Sequence, residues 1–513
     1  MPLTQFAFKG RRDGCICFTA AGVRERRVTE SPWLLRLINA SFTRHHNGSH
    51  GVLETDYLII GTGALGMGFG DQLLTDDPGA SLLFVDKHPL PGGHWNDAYS
   101  FVRLHQPSAF YGVGSRDLGS NRLDESGINA GFYELATGPE VKSYFTRLMD
   151  ERFLPSGRVR YFPLSEYNGD GSFTSLATGE TQGVKVRRRI VDATFFNTSV
   201  PSTRPPHYSI ADGVRVIPPN GLPDQVAAHS HYTVVGGGKT GMDVCVWLLQ
   251  NGVAANAIRW IVPRHSWLIN RETTQPGDRF YSQLLGAKAV QLEACAEATS
   301  IEQLFELLER SRQLLRLDSN VTPQMYHGAT IAPAEIALLA SISDIVRLGR
   351  VQAIEPTEIL LEQGSIAASA DELYIDCTAS AIARRPTRPI FDGDTITVQM
   401  IRAGLFSLSA AIIAHVEVNY TSDDEKNRLC QPMQAPDAAT DWLLLLKAEN
   451  AALARWGADK SLRDWMAGHR LTGANLRSDA VDQDPAIAAI RDRIRTASAR
   501  AAANLEHLIT LIG

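Results

Sequence analysis

Two short runs in this sequence are rich in glycine, and their spacing is suited to holding phosphate groups. The first lies within TDYLIIGTGALGMGFG, residues 55–70, and the second within HYTVVGGGKTGMDVC, residues 231–245. Both follow the pattern Gly-x-Gly-x-x-Gly, through Gly61, Gly63 and Gly66 in the first run and Gly236, Gly238 and Gly241 in the second. The first glycine of such a pattern allows a tight turn, the second lets the backbone approach a pyrophosphate, and the third lets a helix pack closely on a strand. One such run can be an ordinary turn, but two in one chain predict two dinucleotide sites.

Each run must lie between a strand and a helix for the helix N-terminus to face a phosphate. The first run has an apolar strand before it, a helix predicted over 64–75, and a second strand, SLLFVD, that ends at Asp86. An acid at this place suits hydrogen bonds from a ribose, although on its own it would be an ordinary strand-end residue.

The strand after the second run, within IRWIVPRH, ends near Arg264 and carries no acid. An arginine there favours a 2′-phosphate and therefore NADPH over NADH, the alternative being a surface arginine. Lys239, inside the second run, is either a further phosphate contact or a solvent-facing side chain.

The segment after Asp86, KHPLPGGHWNDAYSFVRLHQP, is more specific than the glycine runs. It resembles the flavin-containing monooxygenases and their relatives, in which a Gly-Gly-x-Trp turn is followed by Tyr-x-x-Leu-x-Leu-His-x-Pro beside the flavin. The residues that match are Gly92, Gly93, Trp95, Tyr99, Leu104, His105 and Pro107, while Val102 replaces the first leucine. Taken alone, Trp95 would be a core residue. Flavoprotein disulfide reductases carry a cysteine pair in this region. This chain has no cysteine between Cys17 and Cys245, so a redox-active dithiol is not expected.

A later stretch, ADELYIDCTAS at residues 370–380, resembles the strand by which the same family returns from its NADP lobe to its FAD lobe. Asp371 or Asp376 would be the acid of that motif, and we take Asp376 as the candidate cofactor contact. Cys377 stands where alanine is common and is expected to be a small buried residue.

The resemblance implies an α/β fold with two Rossmann-type dinucleotide-binding domains, in which an NADP lobe is inserted into an FAD lobe. FAD is expected at the first glycine run and NADPH at the second. Hydride from NADPH would reduce the flavin, and O2 would then supply one oxygen atom to a small substrate with a reactive nitrogen, sulfur or carbonyl group. This scheme requires no catalytic acid or base, and none is assigned.

One family motif is missing. The pattern Phe-x-Gly-x-x-x-His-x-x-x-Phe/Tyr does not occur before the second glycine run, and His207 and His229 are not in its frame. An FAD- and NADPH-dependent reductase or oxidase without oxygenation therefore stays open, as does a non-catalytic nucleotide-binding protein.

The predicted organisation has six parts. They are an N-terminal extension of unassigned role (1–54), the first part of the FAD domain (55–200), a proline-rich linker (201–228), an NAD(P) domain (229–370) with a helical insertion (267–345), the return to the FAD domain (371–420) and a helical C-terminal region (421–513). The insertion either covers the substrate side of the cleft or is structural packing, and the C-terminal helices are either a cap or an oligomer contact.

Net charge, cysteine count and the length of the apolar runs argue against several classes of protein. The net charge of -6 gives no reason to expect nucleic acid as a partner. The six scattered cysteines suit neither a disulfide scaffold nor a zinc site, so a reducing cytoplasm is the expected location and no metal is expected. No apolar run approaches the length of a membrane span.

Overall fold

The helices and strands follow the apolar runs of the sequence closely. The computed structural model describes residues 51–369, 371–379 and 382–512, which belong almost entirely to the compact unit Val52–Gly513. The strands are β1 (Leu53–Ile60), β2 (Leu82–Val85), β3 (Val159–Phe162), β4 (Ser165–Tyr167), β5 (Ser172–Ser175), β6 (Thr181–Asp192), β7 (Ser209–Ile210), β8 (Val216–Ile217), β9 (His231–Val235), β10 (Ile258–Ile261), β11 (Ser266–Asn270), β12 (Leu314–Leu315), β13 (Met325–Ile331), β14 (Asp344–Val346), β15 (Val351–Ile354), β16 (Glu358–Leu361), β17 (Gly364–Ala367), β18 (Glu372–Asp376), β19 (Phe391–Asp392) and β20 (Thr395–Thr397). The α-helices are α1 (Ala64–Asp76), α2 (Gly138–Leu148), α3 (Leu222–Gln225), α4 (Lys239–Gln250), α5 (Asp278–Glu297), α6 (Ile301–Arg310), α7 (Pro333–Leu339), α8 (Phe406–Asn419), α9 (Asp423–Leu429), α10 (Asp441–Ala458), α11 (Lys460–Gly468), α12 (Asp479–Asp482) and α13 (Pro485–Thr510).

The first sheet has β1 at its centre. Its main order is β19-β20-β6-β1-β2-β3, and β1 pairs in parallel with both β2 and β6. Parallel strands are covered by helices on both faces, which is why the end of β1 and the whole of β2 are continuous buried apolar runs. Helix α1 packs between this sheet and α8, and Gly70 allows its approach to the sheet, because a Cβ there would lie 2.5 Å from the ring of Phe84.

The second sheet repeats this design around β9. Its order is β14-β10-β9-β18-β8, with every pairing parallel. Two glycine-run lobes, each a strand, a turn and a helix on a parallel sheet, confirm the predicted α/β class. The proline-rich segment predicted as a linker does more than connect the lobes, because β8 joins this second sheet and β7 joins a four-stranded sheet with β15, β16 and β17.

The predicted helical insertion contains strands as well as helices. Helices α5, α6 and α7 lie within it, as expected, but β11, β12 and β13 form a three-stranded sheet of their own. This sheet was not predicted because its strands pair across long stretches of chain, with β11 parallel to β13. Such pairing leaves little local signal in the sequence.

The C-terminal helices cover the inserted segment. Helix α13 packs along α5, and the core between them and α10 includes Trp267, Phe305 and Trp442. Within the described residues, no helix has both the length and the apolarity needed to cross a membrane. Of the predicted extension 1–54, residues 1–50, with Cys15 and Cys17, lie outside the described part of the chain, and β1 begins at Leu53.

Candidate functional site

The first glycine run forms a tight turn between β1 and α1. Gly61 has a φ of +94°, which is unfavourable for any residue with a side chain. A Cβ at Gly66 would lie 1.9 Å from the carbonyl oxygen of Gly61, so only glycine lets the helix start this close to the turn. Gly63 is the N-cap of α1 and no side chain caps the helix there. The first amides of α1 therefore remain available to an anion.

Asp86 directly follows β2 beside this turn and is only 5% exposed. One carboxylate oxygen accepts hydrogen bonds from the amide and hydroxyl of Thr62, at 2.5 and 2.7 Å. The other accepts the amide of His88 at 2.8 Å and lies 2.9 Å from its ring nitrogen Nδ1. Burial would raise the pKa of Asp86, but the hydrogen bonds from His88 and Thr62 outweigh it and hold that pKa below its ordinary value. The side chain is thus ionised and accepts hydrogen bonds through both oxygens. Its contact with a ribose stays a prediction, and in it a carboxylate oxygen would accept from the ribose as well as from Thr62 or His88.

The Gly-Gly-x-Trp turn lies directly against the first glycine run. Gly92 and Gly93 have φ angles of +124° and +55°, and a Cβ at Gly93 would lie 2.9 Å from the Cα of Gly63. Trp95 follows in a 3-10 turn and is 6% exposed, with its ring nitrogen donating to the hydroxyl of Tyr111 at 2.8 Å. The structure therefore gives Trp95 a packing role beside the turn, and its role as a flavin wall stays a prediction.

A small cavity opens beside this tryptophan, with a volume of about 220 Å³. Its lining includes Trp95, Tyr99, Lys142 and Asn220. It lies where the first lobe meets the segment that leads to the second lobe, since Asn220 also donates to the carbonyl of Asp97 at 3.0 Å.

The second glycine run repeats the geometry of the first. Gly236 has a φ of +125°, and a Cβ at Gly241 would lie 2.1 Å from the carbonyl oxygen of Gly236. Gly238 is the N-cap of α4, again without a side-chain cap. The two helices therefore present equivalent uncapped N-termini, as the spacing of the glycines predicts.

In each sheet, one strand that pairs with the strand before the glycine turn ends in an aspartate, and a threonine two residues later donates to it. Asp192 at the end of β6 accepts the amide and hydroxyl of Thr194 at 2.8 and 2.7 Å. Asp376 at the end of β18 accepts the amide and hydroxyl of Thr378 at 3.2 and 2.7 Å. Asp376 pairs in register with the last residue of β9, so it lies next to the second glycine turn. Whether it contacts a cofactor stays a prediction.

Arg264 lies beside the second glycine turn, and its side chain is paired with an acid. A Cβ at Gly237 would lie 3.2 Å from the carbonyl oxygen of Arg264. Its guanidinium makes a bidentate ion pair with Asp437, at 3.0 and 3.1 Å. Arg384 and His327 contact the same carboxylate, at 2.9 and 2.8 Å. The arginine is therefore part of a cluster, and its contact with a 2′-phosphate stays a prediction.

Lys239 turns inward and joins a chain of buried charges, so the solvent-facing alternative is wrong, while a phosphate contact stays a prediction. Its ammonium group pairs with Asp243 one turn along α4, and it lies 3.2 Å from Glu335 on α7. Glu335 in turn pairs with Arg271 at 2.7 Å. The hydroxyl of Tyr99 donates to Asp243 at 2.8 Å and so ties the segment after the Gly-Gly-x-Trp turn to the second lobe.

His105 lies at the edge of this charge chain. Its carbonyl accepts a hydrogen bond from Arg271 at 3.0 Å. Burial, and then the nearby Lys239, lower the pKa of His105 to about 4, so its ring is neutral at pH 7. A neutral imidazole beside the cleft can accept or donate one hydrogen bond, and its position beside a flavin stays a prediction.

The residues of the charge chain were not singled out in the sequence, with the exception of Lys239. Glu335 occupies the third position of a helix that begins with Pro333, a place where an acid usually serves as a cap. Arg271 begins a short 3-10 helix between β11 and α5. For Asp243 and Glu335 the only available signal was a charge among apolar neighbours in sequence, and the polar segment around Arg271 gave no signal, because the pairing depends on long-range contacts.

The fold and the two glycine turns define a protein with two dinucleotide-binding lobes. The sequence is 46% identical over 479 residues to an uncharacterized protein of Mycobacterium tuberculosis and to one of Mycobacterium bovis, covering 92% of this chain and 88% of each relative. The chain belongs to the family formed by these mycobacterial proteins. No family model matches the sequence.

Several solved structures are similar at low identity. A flavin monooxygenase mutant from Stenotrophomonas maltophilia is 13% identical with a TM-score of 0.43, covering 72% of this chain and 100% of that chain. Cyclohexanone monooxygenase from Rhodococcus sp. Phi1, bound to NADP+, is 14% identical with a TM-score of 0.46, covering 80% of this chain and 92% of that chain. A bacillithiol disulfide reductase from Staphylococcus aureus is 10% identical with a TM-score of 0.40, covering 72% of this chain and 100% of that chain. Likeness at this level assigns no activity to this chain.

Proposed function

We propose that this protein is a flavin-dependent NADPH oxidoreductase that inserts one oxygen atom from O2 into a small organic substrate. The observation that carries the proposal is the pair of uncapped glycine turns, Gly61 to Gly66 and Gly236 to Gly241, in one compact unit. The strand end beside the first turn carries the ionised Asp86, and the one beside the second carries Arg264. This difference in charge suits a free ribose in the first lobe and a 2′-phosphate in the second.

The residues of the first lobe fit FAD. The amides at the start of α1 would bind the pyrophosphate, Asp86 would accept hydrogen bonds from the ribose, and Gly92 and Gly93 would let the chain pass close to the flavin. Trp95 and His105 would flank the ring system. FAD supplies the hydride acceptor and the reaction with O2, while these residues bind it, orient it and exclude water.

The residues of the second lobe fit NADPH. The amides at the start of α4 would bind its pyrophosphate, and Asp376 lies beside the same turn. The hydrogen bond from Tyr99 to Asp243 holds the segment before His105 against α4, which joins the two lobes at this point.

The proposal is tested by purification and oxygen consumption. Protein purified from an expression host should be yellow and should release FAD on denaturation. NADPH oxidation should consume O2, and with a substrate among amines, thioethers or ketones the product should carry oxygen from labelled O2. A colourless protein that cannot be reconstituted with FAD would contradict the proposal.

The second candidate function is an FAD- and NADPH-dependent reductase or oxidase. It is favoured by the absence of the family's Phe-x-Gly-x-x-x-His-x-x-x-Phe/Tyr motif from the segment before the second glycine run. Stoichiometric release of hydrogen peroxide from NADPH oxidation with every substrate tested would support this function over oxygenation.

Replacing Arg264 with alanine is expected to raise the KM for NADPH far more than the KM for NADH. A hydrogen bond to a charged group contributes about 1.5–3 kcal/mol, which corresponds to roughly a tenfold to hundredfold change for NADPH alone. Steady-state kinetics with the two coenzymes measures the ratio. Equal changes for both would mean that Arg264 does not contact the 2′-phosphate.

A further inference from the structure

Three basic side chains converge on the carboxylate of Asp437, and one of them belongs to Arg264, whose backbone lies next to the second glycine turn. Asp437 lies 3.0 and 3.1 Å from the guanidinium of Arg264, 2.9 Å from Arg384 and 2.8 Å from His327. We call this group the Asp437 cluster. The side chain of Asp437 is 21% exposed and that of Arg384 is 51% exposed, so a ligand can reach the cluster from solvent.

The backbone holds Asp437 in place independently of these ion pairs. Its amide donates to the carboxylate of Asp441 at 2.7 Å, and its carbonyl accepts the amide of Tyr326 at 2.8 Å. The bridge between Met325 and Ala438 fixes the same segment to β13. The carboxylate of Asp437 is therefore presented to the arginines by a fixed backbone, and its loss would not release the chain.

The charges of the cluster are balanced without any ligand. Arg264 and Arg384 carry two positive charges, and Asp437 and the neighbouring Asp441 carry two negative charges. Burial, and then the two arginines, lower the pKa of His327, which keeps its ring neutral at pH 7. A dianionic phosphate therefore matches the charge of this group only if one of the two carboxylates moves away from the arginines. Arginine pairs equally well with carboxylate and phosphate, because its planar donors fit both in a bidentate way.

We propose that Asp437 is an internal anion that occupies the 2′-phosphate site, and that the phosphate of NADPH displaces it from Arg264, Arg384 and His327. This inference rests on the proposed binding of NADPH at the second glycine turn. It adds Arg384 and His327 to the phosphate contacts, and it makes Asp437 the residue that limits the preference of the protein for NADPH over NADH.

The test compares the binding of two nucleotides. In 2′,5′-ADP one phosphate is at the 2′ position, whereas ADP carries both phosphates at the 5′ position and lacks a 2′-phosphate. Calorimetry on the flavin-loaded protein measures both affinities without any turnover. Asp437→Asn is expected to tighten the binding of 2′,5′-ADP about two- to fivefold, because a competing carboxylate is removed, and to leave ADP unchanged. Arg384→Gln is expected to weaken the binding of 2′,5′-ADP about tenfold, again without an effect on ADP.

Asp344→Asn is the matched control. Asp344 pairs with Arg259 at 2.9 Å in the same lobe, but both residues lie at the starts of their strands, at the end of the sheet opposite the glycine turn. This variant should bind both nucleotides as the wild type does.

The outcomes separate this inference from the function on which it rests. If the wild type binds 2′,5′-ADP and neither Asp437→Asn nor Arg384→Gln changes its affinity relative to ADP, the internal-anion role is wrong while the coenzyme site stands. If the wild type binds neither nucleotide, nor NADPH, the proposed coenzyme site itself is wrong.

Discussion

Replacing Glu335 with glutamine is expected to lower the free energy of unfolding by about 3–5 kcal/mol, the cost of removing one partner of a buried ion pair. Glu335 is 3% exposed and accepts hydrogen bonds or ion pairs from three groups. Lys239 lies 3.2 Å from one carboxylate oxygen, while Arg271 at 2.7 Å and the amide of Ala332 at 2.9 Å contact the other. Glutamine keeps one acceptor oxygen but removes the charge, so two buried cations would be left with Asp243 alone.

The pH dependence of stability provides a second measurement of the same effect. Burial would raise the pKa of Glu335, but Lys239 and Arg271 outweigh it and lower that pKa to about 2, from 4.5 for an unperturbed glutamate. Because the folded-state pKa lies below the unfolded one, the stabilisation is fully present above about pH 4.5 and is lost as the pH falls towards 2. Its size by linkage is about 3 kcal/mol, in line with the estimate for the ion pair.

Thermal unfolding at pH 7 and at pH 3.5 tests both statements. The difference in Tm between the wild type and Glu335→Gln should be large at pH 7 and smaller at pH 3.5. Glu362→Gln is the matched control, because Glu362 makes an exposed ion pair with Arg350 and its loss should leave Tm unchanged at pH 7. A Glu335→Gln variant as stable as this control would show that the buried charges do not depend on Glu335.

The same glycine-to-alanine change in the two turns is expected to weaken the binding of a different cofactor in each case. Gly66→Ala would place a Cβ 1.9 Å from the carbonyl of Gly61, and Gly241→Ala would place one 2.1 Å from the carbonyl of Gly236. Since backbone must move in both cases, each change costs about 1–3 kcal/mol, or roughly five- to 150-fold in the affinity of the nucleotide held there. We expect Gly66→Ala to lose FAD and Gly241→Ala to keep FAD but bind NADPH weakly.

FAD content after purification and NADPH binding to the reconstituted protein provide the two readouts. Gly286→Ala serves as the control, because this glycine lies within α5 and an added Cβ would meet nothing within 4 Å. Circular dichroism verifies that all three variants are folded. Loss of NADPH binding by Gly66→Ala with FAD retained would reverse the assignment of the two turns, and loss of neither nucleotide in either variant would contradict both sites.

Much of the fold could be predicted from local patterns. The glycine spacing, the apolar strands on either side and the uncapped helix starts require only residues close together in sequence, and the structure has helix α1 and strand β2 where they were expected. The three-stranded sheet of the insertion could not be predicted from local patterns. Strands β11 and β13 are about sixty residues apart, so their pairing is determined by contacts rather than by periodicity.

The same distinction between local patterns and long-range contacts applies to the candidate site. The sequence by itself determined the two glycine turns, the acid at Asp86 and the arginine at Arg264, since each follows its strand at a fixed distance. Only the tertiary structure decided what these side chains contact: Asp86 accepts from Thr62 and His88, and Arg264 pairs with Asp437, which is 173 residues away. The physical reason is that a motif sets the path of the backbone locally, whereas burial and charge pairing depend on which distant segments the fold brings together.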